Sequence, residues 1–192
     1  MPVPVAGANP AAAPPPPVVQ QDPVQSSAPQ FPVPEPATAA PVRFSGTSHV
    51  AFLNYSPHHI IYNGAEYPSA MHLHEALKFL PHNPGFAERI RNCPDVAGVH
   101  PLSEELARSS PNAVRPDWAA VYLPLMQEVI LQKFKLHADL RAMLLETGDA
   151  PLIYADQLDS FWGEGPAGNG HNNLGRILEQ VRASLRVEGG LS

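Results

Sequence analysis

The sequence predicts a mainly α (α+β) domain with a few short strands, preceded by a disordered proline-rich tail. Three observations carry this prediction. Apolar residues recur at helical spacing in several segments beyond residue 68, and an Asn-Gly pair separates two short β-prone runs. In addition, 13 of the 24 prolines fall within the first 41 residues.

Residues 1–42 repeat Pro at short, irregular intervals, as in Ala13-Pro14-Pro15-Pro16-Pro17 and Phe31-Pro32-Val33-Pro34-Glu35-Pro36. Proline removes amide donors and favours polyproline II, so this segment is expected to be a semi-extended tail. Residues 43–188 have the composition of one globular domain, and residues 189–192 a short C-terminal tail. In that domain His58-His59-Ile60-Ile61-Tyr62 and Ala65-Glu66-Tyr67 flank Asn63-Gly64, the pair that supplies two positive-φ residues to a hairpin turn. Pro68 and Ser69 open a helix whose Leu73, Ala76, Leu77 and Leu80 form a core stripe, with Pro81 ending it. Further helices are expected at Pro84–Asn92, at Ser103–Ser110, and after Asp117, where Pro124 should kink or restart the helix. Leu140, Met143 and Leu144 mark another helix, closed by Gly148. Leu152-Ile153-Tyr154 reads as a short strand, and Leu174, Ile177, Leu178, Val181 and Leu185 mark a terminal helix.

Composition excludes several function classes. The single Cys93 closes no intrachain disulfide and supplies no cysteine-rich zinc site, which points to a reducing compartment, the cytoplasm or the nucleus. No run of ~18 apolar residues exists, so no membrane span is expected. All 12 Lys and Arg lie beyond residue 42, against 16 acidic residues there, which argues against a broad nucleic-acid surface. The sequence sets no oligomeric state.

Two segments carry candidate chemistry. Asp159-Ser160-Phe161-Trp162-Gly163-Glu164-Gly165, continuing through Gly168 and Gly170 to Asn172, Asn173 and Arg176, joins closely spaced glycines and aromatics to a helix start. Glycine amides and helix N-termini can hold anions, and Trp162 can stack a flat ring, although Asn-capped glycine loops are also common connections. On the first helix Met71, Glu75 and Lys78 share the side away from the leucine stripe. That side is either a solvated face with a weak Glu75–Lys78 pair or the wall of a cleft. His72 and His74 point to different sides and no zincin motif is present, so no metal and no other cofactor is expected. Neither a serine elbow nor an activated cysteine is evident.

Taken together, several segments resemble the NADAR (YbiA-like) family. They are Phe52-Leu53-Asn54-Tyr55-Ser56-Pro57, Asn63 to Ala70, Glu75-Ala76-Leu77-Lys78-Phe79, Arg115-Pro116-Asp117-Trp118, Met126 with Lys133-Phe134, Leu144 to Gly148, and the Asp159–Gly175 loop, in order over about residues 46–187. The resemblance implies a single compact, multi-helical YbiA-like domain with N-glycosidase activity. The substrates it implies are ribosylated and phosphate-bearing, either riboflavin-pathway intermediates or ADP-ribosylated bases. It places Lys78, Asp159, Trp162 and Asn173 in one pocket with Asn54. It also implies an acidic residue where this chain has Met71, with Glu75 the nearest carboxylate, one turn later.

N-glycosidic cleavage passes through a ribosyl cation and needs a carboxylate near C1 and a positioned water. Glu75 or Asp159 is the candidate for both tasks, and Trp162 for stacking the base. Lys78 and the Gly163 and Gly165 amides, with Arg176 as a second cation, are candidates for holding phosphate or ribose. Lys78 could instead act as an amine nucleophile. The rival reading is a non-catalytic nucleotide or ADP-ribose binding module whose tail recruits a partner.

Overall fold

The computed structural model describes residues 39–80 and 82–190. The tail expected over residues 1–42 therefore lies outside the described residues up to residue 38, as do Pro81 and residues 191–192. The chain runs β1 (Val42–Phe44), β2 (Ile60–Tyr62), β3 (Ala65–Tyr67), α1 (Ala70–Leu77), α2 (Pro84–Arg91), α3 (Val96–Ser109), α4 (Trp118–Leu136), α5 (Ala138–Glu146), β4 (Leu152–Tyr154) and α6 (Asn173–Gly189). Short 3-10 turns at Val50–Phe52 and Pro111–Ala113 complete it. Among the described residues no helix is long and apolar enough to cross a membrane.

The hairpin forms as the Asn-Gly pair dictates. Asn63 and Gly64 take φ of 49° and 78°, and β2 and β3 pair antiparallel with Tyr62 opposite Ala65. The other sheet is a parallel pair of β1 and β4, with Val42 opposite Leu152 and Phe44 opposite Tyr154. Strand β1 has no signal of its own in the sequence, because its pairing partner lies more than a hundred residues away. It begins at Val42, a residue expected in the tail.

Helix α1 is the centre of the molecule. Ser69 caps it by accepting from the His72 amide, and it packs against α2, α3 and α4. All of its residues except Met71 are buried, including Glu75, and so is Lys78 just beyond its end. The solvated-face reading of Glu75 and Lys78 is thereby overturned. Helix α3 starts at Val96, well before the expected Ser103, capped by the Asp95 carboxylate through the Ala97 amide at 3.0 Å. It runs through Pro101, and that proline made the first two turns read as loop. Helix α4 is likewise continuous across Pro124 and does not restart there. On the opposite side α6 packs against α4, α5 and β4. Its approach to β4 requires Gly175, where a Cβ would lie 2.1 Å from the Leu152 carbonyl oxygen.

One buried cation pins the segment before the hairpin to α4. Lys133, with no exposed surface, donates to the Ala51 carbonyl at 2.6 Å, the Leu53 carbonyl at 2.8 Å and Ser56 Oγ at 2.6 Å. Burial pulls its ammonium down to about 7, while the three acceptors favour the charged form. Replacing Lys133 by Met would take a donor from the Ala51 and Leu53 carbonyls and from Ser56 Oγ and leave only the Ser56 amide and hydroxyl to serve the Leu53 carbonyl. Lys133→Met is therefore expected to lower unfolding free energy by about 3 kcal/mol or more, read from urea denaturation. A loss below ~1 kcal/mol would show that water replaces the ammonium without penalty.

Candidate active site

Helices α1, α3 and α4, the loop between β4 and α6, and the Lys133-anchored segment converge on a cleft of about 550 Å³. Helix α1 supplies Met71, His74, Glu75 and Lys78, and α3 supplies His100 and Glu104. Helix α4 brings Trp118, Tyr122 and Met126, the loop Asp159, Phe161 and Trp162, and the anchored segment Asn54. A cavity of about 620 Å³ elsewhere borders Ser69, His72, Arg91 and Cys93, but its polar groups are already paired. There His72 bonds Ser69 and the Cys93 carbonyl, and Arg91 pairs with Glu88.

Glu75 is the chemical centre of the cleft. Its Oε1 accepts from His100 Nδ1 at 2.9 Å and its Oε2 from Ser103 Oγ at 2.6 Å. Burial alone would raise its pKa, yet these two hydrogen bonds outweigh the burial and hold the carboxyl below its ordinary value. The same contact raises the pKa of His100, mainly through its hydrogen bond to Glu75, which favours the protonated ring beside the carboxylate. Lys78 does not pair with Glu75. Its Nζ lies 2.5 Å from Glu104 Oε1 and 3.4 Å from Ser103 Oγ, and 5.9 Å from the centre of the Trp118 ring. Ser103 thus links the buried carboxylate to the buried ammonium.

The opposite wall is aromatic. His74 donates from Nε2 to the Tyr122 carbonyl at 2.8 Å, burial lowers its pKa, and the neutral ring packs on Trp118 and Trp162. Tyr122 stacks on Phe161 at 5.8 Å, and Trp162 stands edge-on to both. Asp159 builds this wall from below. Its Oδ1 accepts from the Phe161 and Trp162 amides, each at 2.8 Å, while among the described residues its Oδ2 takes no protein donor.

Five residues singled out from the sequence, Asn54, Glu75, Lys78, Asp159 and Trp162, therefore meet in the cleft. Four others, Gly163, Gly165, Asn173 and Arg176, do not line it. Gly163 and Gly165 are buried in the loop, and their amides bond the Asp159 carbonyl at 3.1 Å and the Asp156 carbonyl at 2.9 Å. Gly163 is needed because a Cβ would come within 2.9 Å of Asp156, a packing demand and not a ligand contact. Asn173 donates to the Phe161 carbonyl at 2.9 Å, and it borders a separate small cavity with the exposed Arg176. Asn172 stands at the α6 N-cap without capping it. Its side chain bonds the Tyr154 amide and the Leu152 carbonyl along β4. His100, Ser103, Glu104, Tyr122 and Phe161 were not identified from the sequence. Recognising Asp95 as a cap, with Val96, Val99, Leu102 and Leu106 as the stripe, would have put His100 and Ser103 on the face of α1.

His100 is expected to control Glu75. In His100→Ala the Glu75 carboxyl should titrate at higher pH than in wild type, followed by carboxyl carbon NMR. A raised histidine stabilises the fold below its ordinary value of 6.5 and loses that contribution as pH rises through its folded value. The stability gap between wild type and His100→Ala should therefore close as pH rises. A gap that widens with pH would reverse the assignment.

The NADAR domain family matches residues 37–186. The chain is 36% identical over 135 residues to the N-glycosidase Npun_R5314 of Nostoc punctiforme, covering 70% of this chain and 85% of that one. It is 33% identical over 139 residues to the N-glycosidase YbiA of Escherichia coli, covering 71% and 82%. The NMR structure of E. coli YbiA superposes with a TM-score of 0.70 at 31% identity, over 79% of this chain and 88% of that one. A riboflavin biosynthesis protein of Vibrio vulnificus is 33% identical over 139 residues, and the match spans 36% of its length.

Proposed function

The chain belongs to the NADAR domain family, and from that premise we propose that it is an N-glycosidase cleaving the C1–N bond of a ribosylated, phosphate-bearing compound. The observation that carries this reading is the ionised, buried Glu75 facing a wall of four aromatic side chains in a cleft the size of a nucleotide. A planar base would lie against this aromatic wall, and a carboxylate near C1 would stabilise the positive charge that develops on the ribosyl group. The riboflavin biosynthesis protein among the relatives supports a phosphorylated intermediate of that type, with an ADP-ribosyl base as the larger variant of the same chemistry.

The two carboxylates are suited to different tasks. Both Glu75 oxygens are held by donors and its pKa is lowered, which makes it a fixed negative charge and a poor proton acceptor. Asp159 keeps Oδ2 available, so it is the group to orient a water and take its proton as the water oxygen bonds C1. The C1–N electron pair leaves with the base nitrogen, which then picks up a proton. Trp162 stacks the base, Lys78 meets phosphate or ribose oxygens, and Asn54 borders the sugar from the anchored segment.

The test is turnover of a ribosylated amino-pyrimidine 5′-phosphate, with the free base read by chromatography. Glu75→Gln keeps shape and most hydrogen bonding, and should lower turnover by ~100-fold while binding changes far less. Tight binding without turnover in wild type would replace the enzyme with a binding module. For the stacking role, Trp162→Ala should weaken binding of the same compound by about tenfold with the domain still folded, as loss of a base-stacking ring does. Unchanged affinity would make Trp162 a plug of the core.

A further inference from the structure

Helix α3 presents to α1 three side chains within about one turn: His100 and Ser103 on Glu75, and Glu104 on Lys78. The inner members are sealed, with side-chain exposures of 10% for Glu75 and 8% for Lys78. The outer members are open, at 58% for His100 and 47% for Glu104. The two ion pairs differ in what breaking them would cost. Moving His100 away strips a nearly buried carboxylate of a donor, which is expensive unless another charge replaces it. Moving Glu104 away returns an exposed carboxylate to water, and an ion pair of that kind is worth ~0–1 kcal/mol. What it leaves behind is a buried ammonium aimed into the cleft, held between Ser103 Oγ and the Trp118 ring.

We propose that Glu104 is a placeholder on Lys78 for the phosphate monoester of the substrate, holding the ammonium when no phosphate is bound and so tempering the preference for phosphorylated over unphosphorylated ribosides. The proposal rests on the reading of the cleft as a site for phosphate-bearing ribosides. A phosphate monoester carries about −1.5 to −2 charge at pH 7 and three acceptor oxygens, so it outcompetes a single mobile carboxylate for the Lys78 ammonium. A neutral riboside has nothing to offer Lys78, and Glu104 stays in place, its carboxylate occupying the volume the phosphate would fill. Glu104 therefore acts through Lys78 and takes no part in bond breaking.

Titration calorimetry with ribose 5-phosphate and with ribose tests this on the whole chain. Glu104→Gln, an exposed position, should bind ribose 5-phosphate about fivefold more tightly than wild type, the loss of one exposed competing ion pair. Its affinity for ribose should not change, and its melting temperature should match wild type. Adding Lys78→Met should abolish the difference between the two ligands. The idea is overturned if Glu104→Gln binds ribose 5-phosphate no tighter than wild type, if ribose gains equally, or if neither protein binds ribose 5-phosphate. Because the readout is binding, a chain that turns over no riboside but shows the fivefold gain keeps the placeholder and loses the enzyme. Turnover without the gain does the reverse.

Discussion

Sealing an ionised carboxylate and an ammonium inside a protein costs several kcal/mol each unless every charge finds a fixed partner, and helix α1 carries both. Glu75 and Lys78 are on the buried central helix, so the neighbouring helix has to answer them. That requirement explains the composition of α3. Its Asp95 cap starts the helix early enough to put His100, Ser103 and Glu104 on the face that meets α1, and each of the three bonds a charged group there. The partners on α3, His100 and Glu104, are themselves largely exposed, so these pairs run from the buried helix to the mouth of the cleft.

The walls are held by a second set of buried polar contacts. Lys133 gathers the carbonyls of Ala51 and Leu53 with Ser56, and Asn54 lies within that span, its carbonyl accepting from the Met71 amide at 2.8 Å. On the other side the loop from Asp156 to Asn173 is closed by its own amides, by Asn173 on Phe161, and by an ion pair from Glu164 to Arg43 of β1. Such a loop offers few backbone donors to a ligand. It holds Phe161 and Trp162 in fixed positions, and side chains already fixed lose little conformational freedom when a ligand packs on them.

Much of the fold was legible because the signals were local. The stripes of α1 and α6, the Asn63-Gly64 turn and the Leu152–Tyr154 strand each rest on residues close in sequence, and each forms. Strand β1 and the early start of α3 were not legible. One depends on a partner more than a hundred residues away, and the other was hidden by Pro101, which a helix tolerates in its second turn when packing supplies the difference. The site divided along the same line. Side chains that periodicity or the family pattern marks, Glu75, Lys78, Asp159, Trp162 and Asn54, line the cleft. The glycine amides were assigned to a ligand because glycine permits close backbone approach. In this loop the close approach is to Asp156 and Ser160, and sequence does not say which neighbour a glycine makes room for.

The position of the acid itself follows from these contacts. Met71 and Glu75 both line the cleft, four residues apart, about 6 Å along the helix. Met71 is half-buried, beside Tyr55 and the first two residues of α3, Val96 and Ala97, in a small cavity. At position 75 the acid meets Ser103 and His100 directly, and their hydrogen bonds outweigh a deeper burial. Placing the charge at Glu75 therefore couples it to a titrating histidine and, through Ser103, to Lys78. The methionine in turn gives the cleft an apolar surface beside that charge. Together they make one physical arrangement: an apolar side chain at Met71 beside a carboxylate at Glu75 whose ionisation is favoured by its partners on α3.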